Sequence, residues 1–284
     1  MPPVLVSAEW LASHLDDVRI FDASSHLPTV KRDAVAEFEA AHIPGAHRFD
    51  IDTIADKAHP MPHMVPSPAF FTECLQGLGV NQDDHVIVYD DSDVKTATRA
   101  WWMMRLFGHA NVSILDGGLV AWRNAGGALE SGVPADRPAG NFTAAPAIGA
   151  DVVTLESLAA AVAAGTAGQI LDARAAARFA GDAPEPRPGL RAGHIPGSNN
   201  LPFNMLLKED GTFKDAETIR GLFKDAGIDP DAPVTTSCGS GVTACVLTAG
   251  LALAGNEQVA VYDGSWTEWG SSDEPIETGP ARQV

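Results

Sequence analysis

The chain has 284 residues, 45% hydrophobic and 20% charged, which is enough for one large domain or two of ordinary size. Asp and Glu outnumber Lys and Arg by 37 to 19, giving a formal net charge of −18. This balance argues against nucleic-acid binding and against docking on anionic membranes, because both need a basic surface. The three cysteines include no Cys-x-x-Cys pair, which argues against a disulfide framework and against a thiolate metal site.

The amino-terminal segment MPPVLVSAEW lacks the basic start and the long apolar stretch of a signal peptide. The most apolar window, residues 244–255, is too short to cross a bilayer. We therefore expect a cytoplasmic protein that does not insert into membranes.

Four segments of the first half recur in the same order in the second half, each roughly 150 residues further along. Such ordered similarity indicates two copies of one folding unit. The matched features are RIFDAS and QILDAR, with Asp22 and Asp172; HIPG at 42–45 and 194–197; strand ends at Asp91 and Cys238; and the segments from Asp116 to Trp122 and from Asp263 to Trp269.

In each copy, short β-branched runs alternate with helical patterns, which favours a parallel sheet covered by helices. Ser67 and Thr154 are expected to cap two of these helices. Residues 131–150 are rich in Pro, Gly and Ala, as in a linker that crosses a surface and forms no part of a core. We expect an α/β fold with tandem domains at residues 1–133 and 151–284, joined by a linker at 134–150.

The copies differ where a strand meets a turn before an apolar helix. The second copy has the glycine-rich sequence Ser237-Cys238-Gly239-Ser240-Gly241 there. In such a turn, backbone N–H groups and the helix dipole converge on the loop centre and stabilise an anion, so Cys238 is the candidate nucleophile. The first copy has carboxylates at this turn, with Asp91 matched to Cys238, and we expect it to be inactive.

These residues resemble the tandem-domain rhodanese, or sulfurtransferase, superfamily, and the resemblance covers essentially the whole chain. The loop from Cys238 to Thr243 is similar to that of the 3-mercaptopyruvate branch, whereas thiosulfate-preferring relatives carry Arg-Lys in place of Gly239-Ser240. The two HIPG segments and DGSW at 263–266 are further family marks.

The resemblance also implies roles for individual residues. Arg178 and Arg187 match the pair that binds the keto-carboxylate of the substrate, whose coplanar oxygens suit guanidinium groups. Asp52 and His63 match positions proposed to relay a proton together with the loop serine, Ser240. Arg174 and Arg191 have no such match and are expected to be structural or surface residues. The other loop residues expected to contact the substrate are Gly239, Gly241, Val242 and Thr243.

The implied reaction takes sulfur from 3-mercaptopyruvate, a small anionic donor, and forms a persulfide on Cys238 with release of pyruvate. A thiol acceptor such as thioredoxin, or cyanide, then removes the sulfur. The resemblance implies no metal and no organic cofactor. Two tandem domains can bury their own interface, so we expect a monomer.

Three alternatives are weighed against this function. A cysteine phosphatase would need an arginine where the chain has Ala244. Thiosulfate could replace 3-mercaptopyruvate as the donor. A non-enzymatic sulfane-sulfur carrier or binding module would not need the clamp of Arg178 and Arg187. Cys74 and Cys245 lie in apolar helical patterns and are expected to be core residues.

Overall fold

The structure is a computed structural model that describes residues 2–27, 29–145 and 150–281. It divides into two compact units that follow the two halves of the sequence with two exceptions. Residues Ala58–Met64 group with the second unit, and residues Glu209–Phe213 group with the first. Within the described part of the chain, no helix is both long and apolar enough to span a membrane.

The first unit is a parallel five-stranded sheet with the strand order β1-β5-β4-β2-β3. Its strands are β1 (Leu5–Val6), β2 (Val18–Asp22), β3 (His47–Arg48), β4 (His85–Tyr89) and β5 (Val112–Leu115). Its helices are α1 (Ala8–Ala12), α2 (Ala34–Ala40), α3 (Pro68–Gly77), α4 (Ala97–Leu106) and α5 (Gly118–Asn124).

The second unit repeats this arrangement with the strand order β6-β10-β9-β7-β8, again parallel throughout. The repeat confirms the α/β fold with two tandem domains of one type. Its strands are β6 (Ala150–Val153), β7 (Gln169–Asp172), β8 (Asn199–Asn200), β9 (Val234–Ser237) and β10 (Val259–Tyr262). Its helices are α6 (Leu155–Ala163), α7 (Ala176–Ala180), α8 (Ala216–Asp225), α9 (Ala244–Leu253) and α10 (Ser265–Trp269).

Two predicted helix starts are confirmed by their capping bonds. The Ser67 hydroxyl accepts a hydrogen bond from the backbone N–H of Phe70 at 3.3 Å, and proline follows in the first turn of α3. The Thr154 hydroxyl accepts a hydrogen bond from the N–H of Ser157 at 3.3 Å. The Ser157 hydroxyl in turn accepts one from the N–H of Thr154 at 3.2 Å, which completes a capping box.

Large aromatic side chains fill both cores. Five tryptophans are at most 1% exposed, as the apolar patterns predict: Trp101, Trp102, Trp122, Trp266 and Trp269. One core residue was unexpected, because it lies in the predicted linker. Phe142 is fully buried, and its ring meets that of Phe71 edge-on at 6.0 Å. This part of the segment therefore belongs to the core of the first unit, while residues 146–149 lie outside the described residues.

Candidate active site

Cys238 lies at the carboxyl end of β9, in the turn that leads into α9. Its residue surface is only 1% exposed. Gly241 has a φ angle of +75°, a conformation that is strained for a residue with a side chain. Glycine at this position therefore lets the backbone turn around the cysteine. Ser240 and Thr243 are half-buried and Val242 is buried, so the predicted site residues of this turn form one compact loop.

One hydroxyl group holds both ends of this loop. The Oγ of Ser265 accepts hydrogen bonds from the backbone N–H of Cys238 at 3.0 Å and of Gly241 at 3.1 Å, and it lies 4.0 Å from the Cys238 Sγ. Its own proton is donated to the Tyr262 carbonyl at 2.8 Å. Ser265 belongs to the DGSW motif, but the motif alone predicts no role for its serine, so this site residue was not predicted from the sequence.

The start of α10 fixes the loop through its carbonyl groups. The N–H of Trp266 donates to the Cys238 carbonyl at 2.9 Å. The N–H and the hydroxyl of Thr267 both donate to the Gly239 carbonyl, at 2.8 and 2.5 Å. The DGSW segment at 263–266 therefore shapes the loop that carries Cys238.

Both predicted clamp arginines reach this loop. A Cβ built on Gly239 would lie 3.2 Å from Nη2 of Arg178, so the guanidinium group sits directly against the backbone there. Nη1 of Arg187 donates to the Thr267 hydroxyl at 3.4 Å, and this hydroxyl in turn bonds to Gly239. The structure thus brings two guanidinium groups to the loop that carries Cys238, in a chain that is strongly acidic overall.

Glu185 orients one of these arginines and was not identified from the sequence. Its carboxylate is 2% exposed and pairs with Nη2 of Arg178 at 2.5 Å and with Nη1 of Arg174 at 2.8 Å. Burial alone would lower the pKa of Arg174, but Asp172 and Glu185 raise it above its ordinary value. A buried carboxylate between two guanidinium groups fixes the direction of Arg178.

The two arginines predicted to be structural have structural contacts. Arg174 is fully buried and stacks on Trp266, with its guanidinium carbon 4.4 Å from the ring centre. Arg191 donates to the backbone carbonyls of Trp269, Gly270 and Glu274. Neither guanidinium group therefore needs a substrate to explain its position.

The other two cysteines differ in their surroundings. Cys245 is fully buried in α9, as expected of a core residue, and its thiol donates to the Gly241 carbonyl at 3.3 Å. It therefore also supports the loop. Cys74 is half-buried in α3, where burial and the nearby Glu73 raise the pKa of its thiol, which disfavours the reactive thiolate.

The predicted relay residues do not all belong to one unit: Asp52 belongs to the first, and His63 and Ser240 belong to the second. Asp52 is exposed in the first unit, where its Oδ2 accepts from the Ser25 hydroxyl at 3.2 Å. His63 is half-buried, groups with the second unit and has a φ angle of 61°. Only Ser240 of the three lies in the loop of Cys238. A relay through these residues stays a prediction.

The strand register corrects one detail of the repeat comparison. Asp22 on β2 is aligned with Tyr89, and Asp172 on β7 is aligned with Ser237, so the residues that follow, Asp90 and Cys238, are equivalent. The match of Cys238 with Asp91 was wrong by one residue. The error arises because seven residues separate β4 from α4, whereas six separate β9 from α9.

The turn of the first unit holds a carboxylate where the second has a thiol. Asp90 is buried and accepts from the N–H groups of Ala97 at 2.6 Å and of Ser92 at 3.3 Å. Burial raises the pKa of Asp90 to about 6, against the opposing effect of Lys95. This turn therefore directs main-chain donors toward the group at its first position, which is the geometry that an anionic sulfur needs. A carboxylate cannot form a persulfide, and the inactivity of the first unit stays a prediction.

Within residues 2–27, 29–145 and 150–281, no three His, Cys, Asp or Glu side chains are grouped to hold a metal ion. The loop of Cys238 offers backbone donors, hydroxyl groups and guanidinium groups instead. These groups suit an anionic substrate.

Comparison with known proteins identifies the family of the chain. The model of the rhodanese-like domain matches residues 7–125 and 154–272. A 3-mercaptopyruvate sulfurtransferase of Escherichia coli (strain K12) is 45% identical over 276 residues, covering 96% of this chain and 97% of the relative. A thiosulfate sulfurtransferase of Gallus gallus is 40% identical over 284 residues, covering 93% and 92% of the two chains.

Among solved structures, SseA from Escherichia coli, described as a 3-mercaptopyruvate sulfotransferase, superposes with a TM-score of 0.83 at 42% identity. The match covers 93% of this chain and 99% of SseA. Two copies of the domain, with the cysteine loop in the second, account for the repeat in the sequence. The chain belongs to the rhodanese-like family.

Proposed function

We propose that this chain is a sulfurtransferase that moves sulfur from 3-mercaptopyruvate, through a persulfide on Cys238, to a thiol or to cyanide. The observation that carries the proposal is the arrangement around Cys238. A buried cysteine at the start of a hydroxyl-braced loop lies within reach of two guanidinium groups, Arg178 and Arg187. The similarity to the Escherichia coli sulfurtransferase over nearly the whole chain supports the same reaction.

The reaction begins when the Cys238 thiolate attacks the sulfur atom of 3-mercaptopyruvate. An S–S bond forms, the carbon–sulfur bond breaks, and the electron pair of that bond passes to carbon, giving the enolate of pyruvate. Arg178 and Arg187 hold the carboxylate and keto oxygens, and they stabilise the negative charge that develops on the enolate oxygen. The proton that completes pyruvate is assigned to Ser240, His63 and Asp52, the residues matched to the relay of the family.

The second half of the reaction regenerates the cysteine. An acceptor thiolate, such as that of thioredoxin, or cyanide attacks the outer persulfide sulfur. The S–S bond then breaks, with its electron pair returning to the Cys238 sulfur. Main-chain donors of the loop stabilise the anionic sulfur at both stages. We also propose that the protein is monomeric and cytoplasmic. Its sulfur acceptor is then a small protein with a reactive thiol, such as thioredoxin.

Thiosulfate is the second candidate sulfur donor, because the chain is 40% identical to the thiosulfate sulfurtransferase of Gallus gallus. Thiosulfate is a compact dianion, and a cationic loop would suit it best. This chain has the neutral pair Gly239 and Ser240 in the loop, while its guanidinium groups flank the loop from Arg178 and Arg187. That distribution favours a keto acid, whose carboxylate lies away from its sulfur.

The experiment that decides between the donors is the ratio of kcat/KM for 3-mercaptopyruvate to that for thiosulfate, with cyanide as the common acceptor. We expect a ratio well above one. A ratio below one would assign thiosulfate as the donor. The absence of turnover with both donors would favour a sulfane-sulfur carrier or binding module.

A further inference from the structure

The first unit contains a cavity of about 260 Å³ beside the turn that carries Asp90. It opens between the end of β2, helix α2 and helix α5. Asp22, Ser24, Phe38, Ala41 and Leu119 line its inner part. The proposed sulfur transfer does not use this cavity.

Backbone bonds identify the residue of the second unit that corresponds to Ser24. The N–H of Ser24 donates to Oδ1 of Asp22 at 2.7 Å, and the N–H of Arg174 donates to Oδ1 of Asp172 at 2.8 Å. Both aspartates end the equivalent strand of their sheets. A serine in the first unit therefore replaces the buried arginine of the second.

A second residue that lines the cavity also has a smaller side chain than its equivalent in the second unit. The N–H of Leu119 donates to the Asp90 carbonyl at 2.9 Å, just as the N–H of Trp266 donates to the Cys238 carbonyl at 2.9 Å. Leu119 therefore stands where Trp266 supports Arg174. Replacement of arginine by serine and of tryptophan by leucine accounts for the empty volume.

In the second unit, Arg174 shows what this space accommodates. Its guanidinium group donates to Oδ2 of Asp172 at 2.6 Å and to the Gly193 carbonyl at 2.9 Å, and its face lies on Trp266. The first unit keeps an aspartate and a backbone residue in matching places, Asp22 and Ala41, since Ala41 precedes HIPG as Gly193 does. The cavity thus retains groups that surround a guanidinium in the other copy.

The charged groups around the cavity are paired with one another. Arg32 is bound to Glu37 through Nε and Nη2, at 2.8 Å each, and to the carboxylate of Asp91 at 3.1 Å. Arg123 is 44% exposed and lies 3.8 Å from the same Asp91 carboxylate. The third lining carboxylate, Asp22, pairs with Arg48, which lies outside the lining. The charges around the cavity therefore balance, and the correspondence with Arg174 is what favours a guanidinium group.

Asp22 also has partners outside the lining, Arg48 and the hydroxyl of Tyr89. Arg48 donates to its Oδ1 at 3.2 Å, the same oxygen that accepts from Ser24. A ligand that repeats the contact of Arg174 would approach Oδ2. Burial and the nearby Asp22 raise the pKa of Tyr89, so this phenol stays neutral and adds no negative charge.

We propose that this cavity binds a guanidinium group on a short aliphatic stem, with the planar cation between Asp22 and Leu119. The cavity volume exceeds that of a guanidinium ion, and the apolar side chains of Ala34, Phe38 and Ala40 border the remaining space. The ligand is therefore a small guanidine compound or an arginine side chain presented by another protein. The proposal is independent of the sulfurtransferase reaction.

The test is titration of the full-length protein by calorimetry with agmatine as the free guanidine and with N-acetylarginine amide as the mimic of a protein arginine. We expect saturable binding in the millimolar range or tighter. Preference for agmatine assigns a small metabolite, and preference for the amide assigns a protein arginine. Butylurea, which has a similar shape without the charge, is expected to bind at least about tenfold more weakly.

Two variants change the cavity from within. Ser24→Arg supplies the guanidinium group of the second unit and is expected to weaken agmatine binding at least about tenfold. Leu119→Trp restores the aromatic surface on which Arg174 stacks, so it is expected to strengthen agmatine binding. Ser25→Arg is the matched control, because it adds the same charge at a neighbouring residue that does not line the cavity. Denaturant unfolding checks that each variant is folded, and if Ser24→Arg is not, Leu119→Trp alone carries the comparison.

Three results would overturn the proposal. Agmatine and the amide could both fail to bind the wild-type chain at ten millimolar, butylurea could bind as tightly as agmatine, or a folded variant could fail to change agmatine binding in the expected direction. The activity assay separates this proposal from the function. Wild-type sulfur transfer with no guanidinium binding would remove the cavity site alone.

Discussion

Ser265 and Gly118 occupy the same place in the two units, and both have a positive φ angle, of 50° and 59°. Ser265 directly precedes Trp266, whose N–H donates to the Cys238 carbonyl. Gly118 likewise precedes Leu119, whose N–H donates to the Asp90 carbonyl. The first unit uses glycine, for which this conformation carries no side-chain strain. The second unit keeps a serine there, and its hydroxyl braces the loop of Cys238. The positive φ angle retained by a serine beside Cys238 leads to the hypothesis that its hydroxyl is needed for function.

We therefore predict that Ser265→Gly separates activity from stability. Glycine relieves the positive φ while the variant loses the bonds to Cys238 and Gly241, so the free energy of unfolding should stay within about 1–2 kcal/mol of wild type. The kcat for sulfur transfer should fall by about tenfold or more, because the loop donors lose their alignment. Steady-state kinetics and urea unfolding test both parts.

Ser198→Ala is the control for this variant, since Ser198 is also a buried serine of the second unit, and its hydroxyl donates to Ile195 at 2.7 Å. It should lose stability without a comparable loss of kcat. Equal kcat values for Ser265→Gly and wild type would show that the hydroxyl does not position the loop.

The clamp predicts a specific response to Arg178→Lys. Lysine keeps the positive charge but cannot form two parallel hydrogen bonds to the keto acid. We expect the KM for 3-mercaptopyruvate to rise by roughly 10- to 100-fold, with a smaller change in kcat.

Arg220→Lys serves as the comparison for the clamp variant, because Arg220 pairs with Asp231 on the surface of the same unit. Its kinetics should match wild type. An unchanged KM in Arg178→Lys would place the substrate carboxylate elsewhere.

His63 is tested by His63→Asn, a substitution that tolerates the observed φ of 61° better than most. If this histidine transfers the proton that completes pyruvate, kcat should fall by about 100-fold at nearly constant KM. His59→Asn, in the same segment, is the matched control and should behave like wild type. A kcat for His63→Asn within twofold of the control would exclude the relay.

Asp90 gives a prediction for the pH dependence of stability. Its pKa of about 6 in the folded chain lies above the value of about 3.9 in an unfolded chain, so the folded state binds this proton more tightly. The resulting stabilisation is complete below about pH 4 and is lost as the pH rises through 6. Asp90→Asn lacks this titration, so its free energy of unfolding relative to wild type should be higher at pH 8 than at pH 4.5 by roughly 1–3 kcal/mol.

Chemical unfolding at both pH values measures this difference. The exposed Asp93→Asn, in the same turn, should show the wild-type dependence. A pH-independent difference between Asp90→Asn and wild type would mean that Asp90 does not titrate in this range.

The sequence alone predicts the fold and the main site residue where the two copies can be compared directly. The tandem α/β units and the place of Cys238 at the end of a strand follow from the repeated strand ends and HIPG segments. The same comparison slipped by one residue at Asp91, because matched letters do not reveal that one turn is longer. Only the strand pairing identifies Asp90 as the equivalent of Cys238.

The missed residues act through contacts that span long stretches of sequence. Glu185 was overlooked because its importance comes from burial between two arginines, which composition does not show. Ser265 had a detectable signal, since glycine stands at the matching position of the inactive copy. Phe142 was assigned to a linker because its neighbours are small and polar, although a single phenylalanine can anchor a segment in a core.

The central claim is that Cys238 carries the transferred sulfur. The most direct test is mass spectrometry of the protein after incubation with 3-mercaptopyruvate in the absence of an acceptor. We predict that the peptide containing Cys238 gains one sulfur atom, which cyanide then removes as thiocyanate. Cys74→Ser should gain the sulfur as wild type does, and Cys238→Ser should gain none. Sulfur found instead on Cys74 or Cys245, or turnover by Cys238→Ser, would contradict the account.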